Sequence, residues 1–171
     1  MQTIETYLAQ KWKETVRYTP QDEGMLIGLP YPYTVPCADG MFNEIYYWDT
    51  YFTNKGLLAA GEVQLAKDNC RNMLYLVGKF GYMPNGNLTI YLGRSQPPYL
   101  AMMVWDVYAA TADGAFLAAA YPVLQKEYAF WERARMTESG EGLAPLLEKL
   151  EAPYGIFTAE KSEERYQWGY P

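Results

Sequence analysis

The sequence contains no histidine, only two cysteines and no apolar run long enough to cross a membrane. Ser-His-Asp and Cys-His catalysis are excluded, because both need an imidazole to move the nucleophile's proton near neutral pH. Cys37 and Cys70 lie far apart without CxxC spacing, so we expect no metal site and no cofactor. The N-terminus lacks a basic segment followed by an apolar stretch, which predicts a cytoplasmic protein without a membrane anchor.

The charge and the aromatic content narrow the choice of partners. The 14 Lys and Arg residues are outnumbered by 20 Asp and Glu residues, giving a net charge of −6, so nucleic acid is not an expected partner. Half of the residues are apolar, which predicts a globular chain with one domain's worth of residues. The 17 Tyr and five Trp residues fit either aromatic helix packing or stacking against sugar rings.

Helical periodicity dominates the first 134 residues. Apolar residues recur at intervals of three and four, with Gly61, Gly81 and Asp113 as end signals. The predicted helices cover residues 1–17, 44–60, 62–80, 98–112 and 114–134. Short connections between successive helices favour antiparallel hairpins, so the fold class is all-α.

Three stretches differ from this pattern. Residues 19–40, with Pro30, Pro32 and Pro36 among them, are predicted to be a long extended loop of the kind that often lines a site. Residues 82–97 predict a loop or a small hairpin with a β-prone run at 88–92. Residues 136–171 form an atypical C-terminal segment that looks truncated.

Three clusters carry chemistry suited to sugar binding. Trp48 and Asp49 combine an aromatic plane with a carboxylate, and Asn85 offers an amide donor and acceptor on a turn. One extended segment carries a guanidinium, a hydroxyl and an amide, at Arg94, Ser95 and Gln96. Each residue also has a plain structural explanation: Trp48 in a core, Asn85 in a turn, or Arg94 beside a surface carboxylate.

Two long motifs resemble the α,α-trehalase family of glycoside hydrolases. The run ADGMFNEIYYWDTYF at 38–52 is similar to the family's first signature, PGGRF-x-E-F/M-YYWDSYF. The run PNGNLTIYLGRSQPP at 84–98 matches PNGNR-x-YY-x-x-RSQPP without a gap. The second family signature, QWD-x-P-x-GWAP, is echoed by QWGYP at 167–171.

The resemblance implies an (α/α)6 toroid that hydrolyses trehalose to glucose with inversion. It places residues 1–171 in one partial toroid domain, about half of the full barrel, and predicts that trehalose or a related glucoside is the partner. The sugar-contacting positions carried over are Trp48, Asp49, Asn85, Arg94, Ser95 and Gln96.

The family's catalytic carboxylates have no match. Inversion needs a general acid and a general base, but Glu138-Ser139-Gly140 is followed by Glu141-Gly142 instead of the segment that carries the acidic Asp, and the base would follow Pro171. Met41 replaces a signature Arg, so the substrate of the parent protein is either trehalose or another glucoside. The missing carboxylates bear on activity. We therefore expect a weak or inactive chain, with a noncatalytic carbohydrate-binding module as the alternative and self-association through an exposed toroid edge as a further expectation.

Overall fold

The computed structural model describes residues 3–134 of the chain. The elements in order are helix α1 (Ile4–Thr15), strands β1 (Val16–Arg17) and β2 (Tyr33–Thr34), helices α2 (Tyr47–Ala59) and α3 (Val63–Phe80), a 3-10 helix (Thr89–Tyr91), and helices α4 (Leu100–Thr111) and α5 (Gly114–Ala134). The predictions for residues 136–171 lie outside the described residues.

The contacts divide the chain into two compact units, Met1–Glu127 and Tyr128–Pro171. The described part of the second unit is the last part of α5, where the rings of Phe130 and Trp131 meet edge to face at 5.9 Å. The first unit contains all the other elements. The prediction of one domain over residues 1–171 stays a prediction.

Hairpin turns occur where the sequence has its end signals. Gly61 and Gly81 have φ angles of 80° and 84°, a left-handed conformation that glycine adopts without a Cβ penalty. Asp113 caps α5, since its Oδ1 accepts the Phe116 N–H at 2.9 Å. The all-α prediction is therefore confirmed in class, and helices α2 and α3 form its first hairpin.

The core of the first unit lies between the apolar faces of α3 and α4. Their buried apolar members are Ala66, Cys70, Met73, Leu76 and Val77 from α3 and Leu100, Met103, Val104 and Val107 from α4. Beside them, the buried amide of Asn69 donates to Asn54 Oδ1 at 2.9 Å and accepts the Thr34 N–H at 3.0 Å. This satisfied polar contact fixes α2, α3 and β2 relative to one another.

The structure corrects several element boundaries. Helix α1 ends at Thr15 because Val16 and Arg17 pair with Thr34 and Tyr33 in a two-residue antiparallel sheet, which also places a strand in the predicted loop at 19–40. The run at 88–92 forms the 3-10 helix rather than a strand. Helix α2 begins three residues later than predicted, because the chain before Tyr47 is extended and bonds to another loop.

The described residues contain neither a membrane-spanning helix nor a cluster of metal ligands. None of the helices in this part of the chain has both the length and the apolar character to cross a bilayer. Within residues 3–134, no group of three or more Cys, Asp or Glu side chains is arranged to hold a metal ion.

Candidate functional site

The site is built where two motif-bearing segments, 44–49 and 84–96, run side by side; we call this junction the seam. Tyr46 and Gly86 form an isolated antiparallel bridge, and the Tyr47 N–H donates to the Asn85 carbonyl at 3.1 Å. A Cβ on Gly86 would lie 2.6 Å from the Ile45 carbonyl oxygen, so only glycine allows this approach. The seam brings the start of α2 next to the Asn85 turn.

Asn87 holds the seam from inside. Its side chain is fully buried, accepts the Ile45 N–H at 2.8 Å and donates to the Ile27 carbonyl at 2.8 Å. Its backbone carbonyl accepts the Ile27 N–H, also at 2.8 Å. Sequence reasoning quoted Asn87 within its motif but did not single it out; its place beside the Asn85-Gly86 turn was the available signal.

Gln96 links the two halves of the predicted site. Its Oε1 accepts the Trp48 N–H at 3.0 Å, and its Nε2 donates to Asp49 Oδ2 at 3.4 Å. Trp48 remains 42% exposed, so its ring is not a core group. Trp48, Asp49 and Gln96 are therefore brought together.

The other three predicted residues, Asn85, Arg94 and Ser95, lie at the same seam and differ in the bonds that they make. The Asn85 N–H donates to the Arg94 carbonyl at 3.0 Å, while the exposed Arg94 guanidinium lies over the Tyr91 ring at 5.9 Å. No carboxylate in the described part of the chain forms an ion pair with Arg94. Ser95 donates its hydroxyl proton to the Met83 carbonyl at 2.6 Å, so only its oxygen lone pairs are left to accept a further bond.

An aromatic cluster extends the Trp48 surface. The rings of Tyr51 and Tyr99 stack at 4.5 Å with an interplanar angle of 17°, and Phe52 meets Trp48 at 6.5 Å. Phe52 is 58% exposed. Flat, partly exposed rings beside hydrogen-bonding side chains are the elements from which sugar-binding surfaces are made.

A chain of phenols flanks the seam. Tyr46 donates to Glu44 Oε1 at 2.6 Å, and the Tyr46 and Tyr91 hydroxyl oxygens are 3.0 Å apart. Burial, reinforced by the Glu44 carboxylate, raises the pKa of Tyr46 well above its usual range. The Tyr46 hydroxyl therefore stays protonated, and Glu44 already accepts a bond from it.

Glu127 lies behind the seam and was missed by sequence reasoning. Its Oε1 accepts the Tyr47 hydroxyl at 2.6 Å, and that hydroxyl accepts the Leu100 N–H at 3.1 Å. Glu127 is only 4% exposed, and burial raises its pKa to about 7. Nothing in the local sequence distinguishes it from the exposed Lys126 and Glu132.

A groove of about 400 Å³ lies elsewhere in the first unit, between α1 and the loop at 36–39. Tyr7, Lys11 and Trp12 contribute to its lining, together with Cys37, whose thiol donates to Asp39 at 2.8 Å. None of the six predicted site residues lines it.

Comparison with known proteins identifies close relatives. The family model described as Trehalase matches residues 1–167. The chain is 40% identical over 144 residues to the periplasmic trehalase of Pseudomonas aeruginosa, covering 83% of this chain and 25% of that protein. It is 44% identical over 120 residues to the periplasmic trehalase of Xanthomonas campestris pv. campestris (strain B100), covering 70% and 20%.

A solved structure supports the fold. The neutral trehalase Nth1 from Saccharomyces cerevisiae superposes with a TM-score of 0.56 at 24% identity, covering 88% of this chain and 32% of the yeast chain. The prediction of helix hairpins forming part of a trehalase-type toroid is thereby confirmed. This chain spans 20–25% of the length of the two bacterial relatives.

One prediction is wrong. The bacterial relatives are named periplasmic trehalases, which contradicts the expectation of a cytoplasmic protein. The expectation rested on the lack of a recognisable signal at the N-terminus, and the relatives' names outweigh that reading.

Proposed function

The chain belongs to the trehalase family, and we propose that its six predicted site residues form a surface that contacts a glucosyl unit of trehalose or a related glucoside. The observation that carries the proposal is the pair of bonds from Gln96 to Trp48 and Asp49, since they join residues 48 and 47 positions apart in the chain. An exposed indole, a carboxylate and an amide at one seam suit a hexose ring and its hydroxyls.

The two polar residues on the other side of the seam add to this support. The Arg94 guanidinium carries five N–H donors and has no carboxylate partner among the described residues. The Asn85 backbone is fixed by bonds to Tyr47 and Arg94. A fixed backbone at Asn85 lowers the freedom that this residue loses when a ligand binds.

We infer that the chain alone hydrolyses trehalose slowly or not at all. Inverting hydrolysis needs a carboxylic acid and a carboxylate on opposite sides of the scissile bond. The family's acid segment is not matched after Glu138-Ser139-Gly140. Glu44, the carboxylate nearest to the seam's phenols, is bonded to Tyr46.

Calorimetric titration tests the binding proposal. We expect saturable heat with trehalose, and we expect Trp48→Ala to weaken the affinity about tenfold through loss of ring stacking. Trp105→Ala is the matched control, because Trp105 is 61% exposed on α4 and makes its ring contact with Tyr108. Equal losses in the two variants, or no heat in the parent chain, would contradict the proposal.

Glucose release tests the catalytic inference. Purified chain incubated with trehalose should release glucose at the blank rate. Turnover that scales with protein concentration and is abolished by Asp49→Ala, but not by Glu62→Ala, would overturn the inference. Glu62 is the control because it is exposed and makes no side-chain capping bond at the start of α3.

The alternative is a noncatalytic carbohydrate-binding module. It is favoured by the six predicted sugar contacts in a chain in which the family's acid segment has no match. Saturable heat without glucose release supports this alternative. An inactive chain that gives no heat argues against it.

The relatives and the surface support two further parts of the proposal. A periplasmic location follows from the names of the bacterial relatives. Self-association is supported by the outer face of α4, which we define by its exposed residues Ala101, Met102, Trp105 and Ala109. A row of apolar side chains on the exposed face of a helix is typical of an interaction surface.

A further inference from the structure

One hydroxyl group joins three helices behind the seam. The Tyr47 hydroxyl donates to the Glu127 carboxyl of α5 at 2.6 Å and accepts the Leu100 N–H of α4 at 3.1 Å. Tyr47 itself is the first residue of α2. The carboxyl of Glu127 therefore acts on the starts of two helices through a single atom.

The same hydroxyl stands directly behind the predicted sugar contacts. Trp48 and Asp49 follow Tyr47 in the first turn of α2, and both are bonded to the side chain of Gln96. Leu100 lies four residues after Gln96, at the first position of α4. A change at the Tyr47 hydroxyl thus reaches the seam from both sides.

No counter-charge faces Glu127 in the described part of the chain. From α2 it faces the Tyr47 phenol, and from α4 it faces the Leu100 amide through that phenol. No Lys or Arg in residues 3–134 pairs with it, and the neighbouring Lys126 on α5 is exposed. A buried carboxylate without a cation is costly, so protonation relieves the site.

We propose that Glu127 is a positioning residue, which holds the first turn of α2 in register with the Gln96 segment through the Tyr47 hydroxyl and couples that register to pH. The proposal rests on the proposed sugar-binding function for its consequence, but its structural part does not. The bond from the Tyr47 hydroxyl favours the ionised form of Glu127, but burial disfavours that form more strongly. The folded arrangement is therefore most stable when Glu127 is neutral, and ionisation places the cost of a buried charge on the junction of the three helices.

The direction of the effect follows from burial, which raises the pKa of Glu127 to about 7 in the folded chain. An unfolded Glu has a pKa of about 4.3. The folded chain therefore binds this proton more tightly, and the stabilisation is complete below the unfolded value and lost as pH rises through about 7. Trehalose affinity should fall severalfold over the same interval.

An NMR titration of the full wild-type chain tests the positioning without any sugar. With ¹³C-labelled Glu, the Glu127 carboxyl carbon should titrate with a midpoint near pH 7. The backbone amides of Trp48 and Leu100 should shift with the same midpoint. Amides that stay still while the Glu127 carboxyl titrates, or a carboxyl midpoint near the ordinary Glu value, would overturn the proposal.

Glu127→Gln tests the coupling, because the amide keeps the size and the acceptor but cannot ionise. The midpoint near pH 7 should vanish from both amides, and the pH profile of trehalose affinity should become flat. Glu132→Gln, an exposed change on the same helix, is the matched control and should leave both profiles unchanged.

The outcomes separate the two proposals. If neither the wild-type chain nor Glu127→Gln binds trehalose, the proposed function fails. The titration of the Trp48 and Leu100 amides still decides the role of Glu127. If Glu127→Gln does not fold, the wild-type titration decides it alone. A variant that folds and keeps the wild-type pH profile overturns the positioning role.

Discussion

The seam and the outer face of α4 differ in how their side chains are paired: the seam has bonded polar groups, and the outer face has exposed apolar ones. At the seam, the buried polar groups of Asn87 are paired within the first unit, and Gly86 allows two backbones to touch. On the outer face of α4, Met102 and Trp105 are 48% and 61% exposed. The polar groups of the seam are therefore satisfied within the described residues, whereas the outer face of α4 leaves apolar side chains in solvent.

The contrast is between directional hydrogen bonds, which fix a geometry, and apolar contacts, which do not. The polar network of the seam defines one geometry, because each buried donor or acceptor has a single partner in place. The apolar face of α4 defines no geometry by itself, since hydrophobic contact is not directional. Variants at the seam should change stability, and variants on the outer face should change association.

Asn87→Ala should have the largest effect. It leaves the buried Ile45 N–H and Ile27 carbonyl without their partners, and the free energy of unfolding should fall by about 4 kcal/mol. Urea denaturation measures the loss. Asn43→Ala is the control, because that side chain is exposed and its effect should stay within about 0.5 kcal/mol. Similar losses in the two variants would remove the distinction between buried network and surface.

The second-largest effect on the free energy of unfolding should come from pH, through the titration of Glu127. Because the sequence has no histidine, the titration of Glu127 should dominate the response between about pH 5 and 8. With its pKa raised to about 7 by burial, wild-type stability should fall by about 2.5 kcal/mol over this interval as the proton is lost. Denaturation at several pH values should show a flat profile for Glu127→Gln; a slope that persists in the variant would assign the effect to another group.

Gly86→Ala should have the third-largest effect. The free energy of unfolding should fall by about 2 kcal/mol, because the new Cβ overpacks against the Ile45 carbonyl. The matched control is Gly78→Ala within α3, where a new Cβ meets no atom within 4 Å. The free energy of unfolding of this control should rise by up to about 1 kcal/mol, because alanine favours the helix more than glycine does. Thermal denaturation of both variants measures the difference, and a neutral result for Gly86→Ala would show that the seam can widen without cost.

Trp105→Ser should have the smallest effect on stability, within about 0.5 kcal/mol, since its ring is mostly in solvent. It should instead reduce self-association, which light scattering measures against concentration. A parent chain that stays strictly monomeric at high concentration would argue against association through the outer face. Phe52→Ser on α2 is a second exposed aromatic change that can be compared with it.

The sequence predicts the helices well because their causes are local. Apolar spacing defines α3, glycine ends it at Gly81, and Asp113 caps α5, and all of these signals act within a few residues. The sequence predicts the start of α2 three residues too early, because the preceding chain is extended and bonds to residues 85–87. No periodicity encodes that partner.

The candidate site was only partly predictable for the same reason. Motif resemblance suggested the six residues, and the structure brings Trp48, Asp49 and Gln96 into contact. Their role in binding sugar stays a prediction. Glu127 carries no local signal, because its burial depends on a tyrosine 80 positions earlier in the chain.

The bond from the Leu100 amide to the Tyr47 hydroxyl spans 53 positions of the chain. The first turn of α4 therefore receives its cap only after α2 has docked, which ties the two helices into one cooperative folding step and raises the entropic cost of the nucleus that contains them. Hydrogen exchange at this single amide should report opening of the contact between these helices rather than fraying of α4 alone.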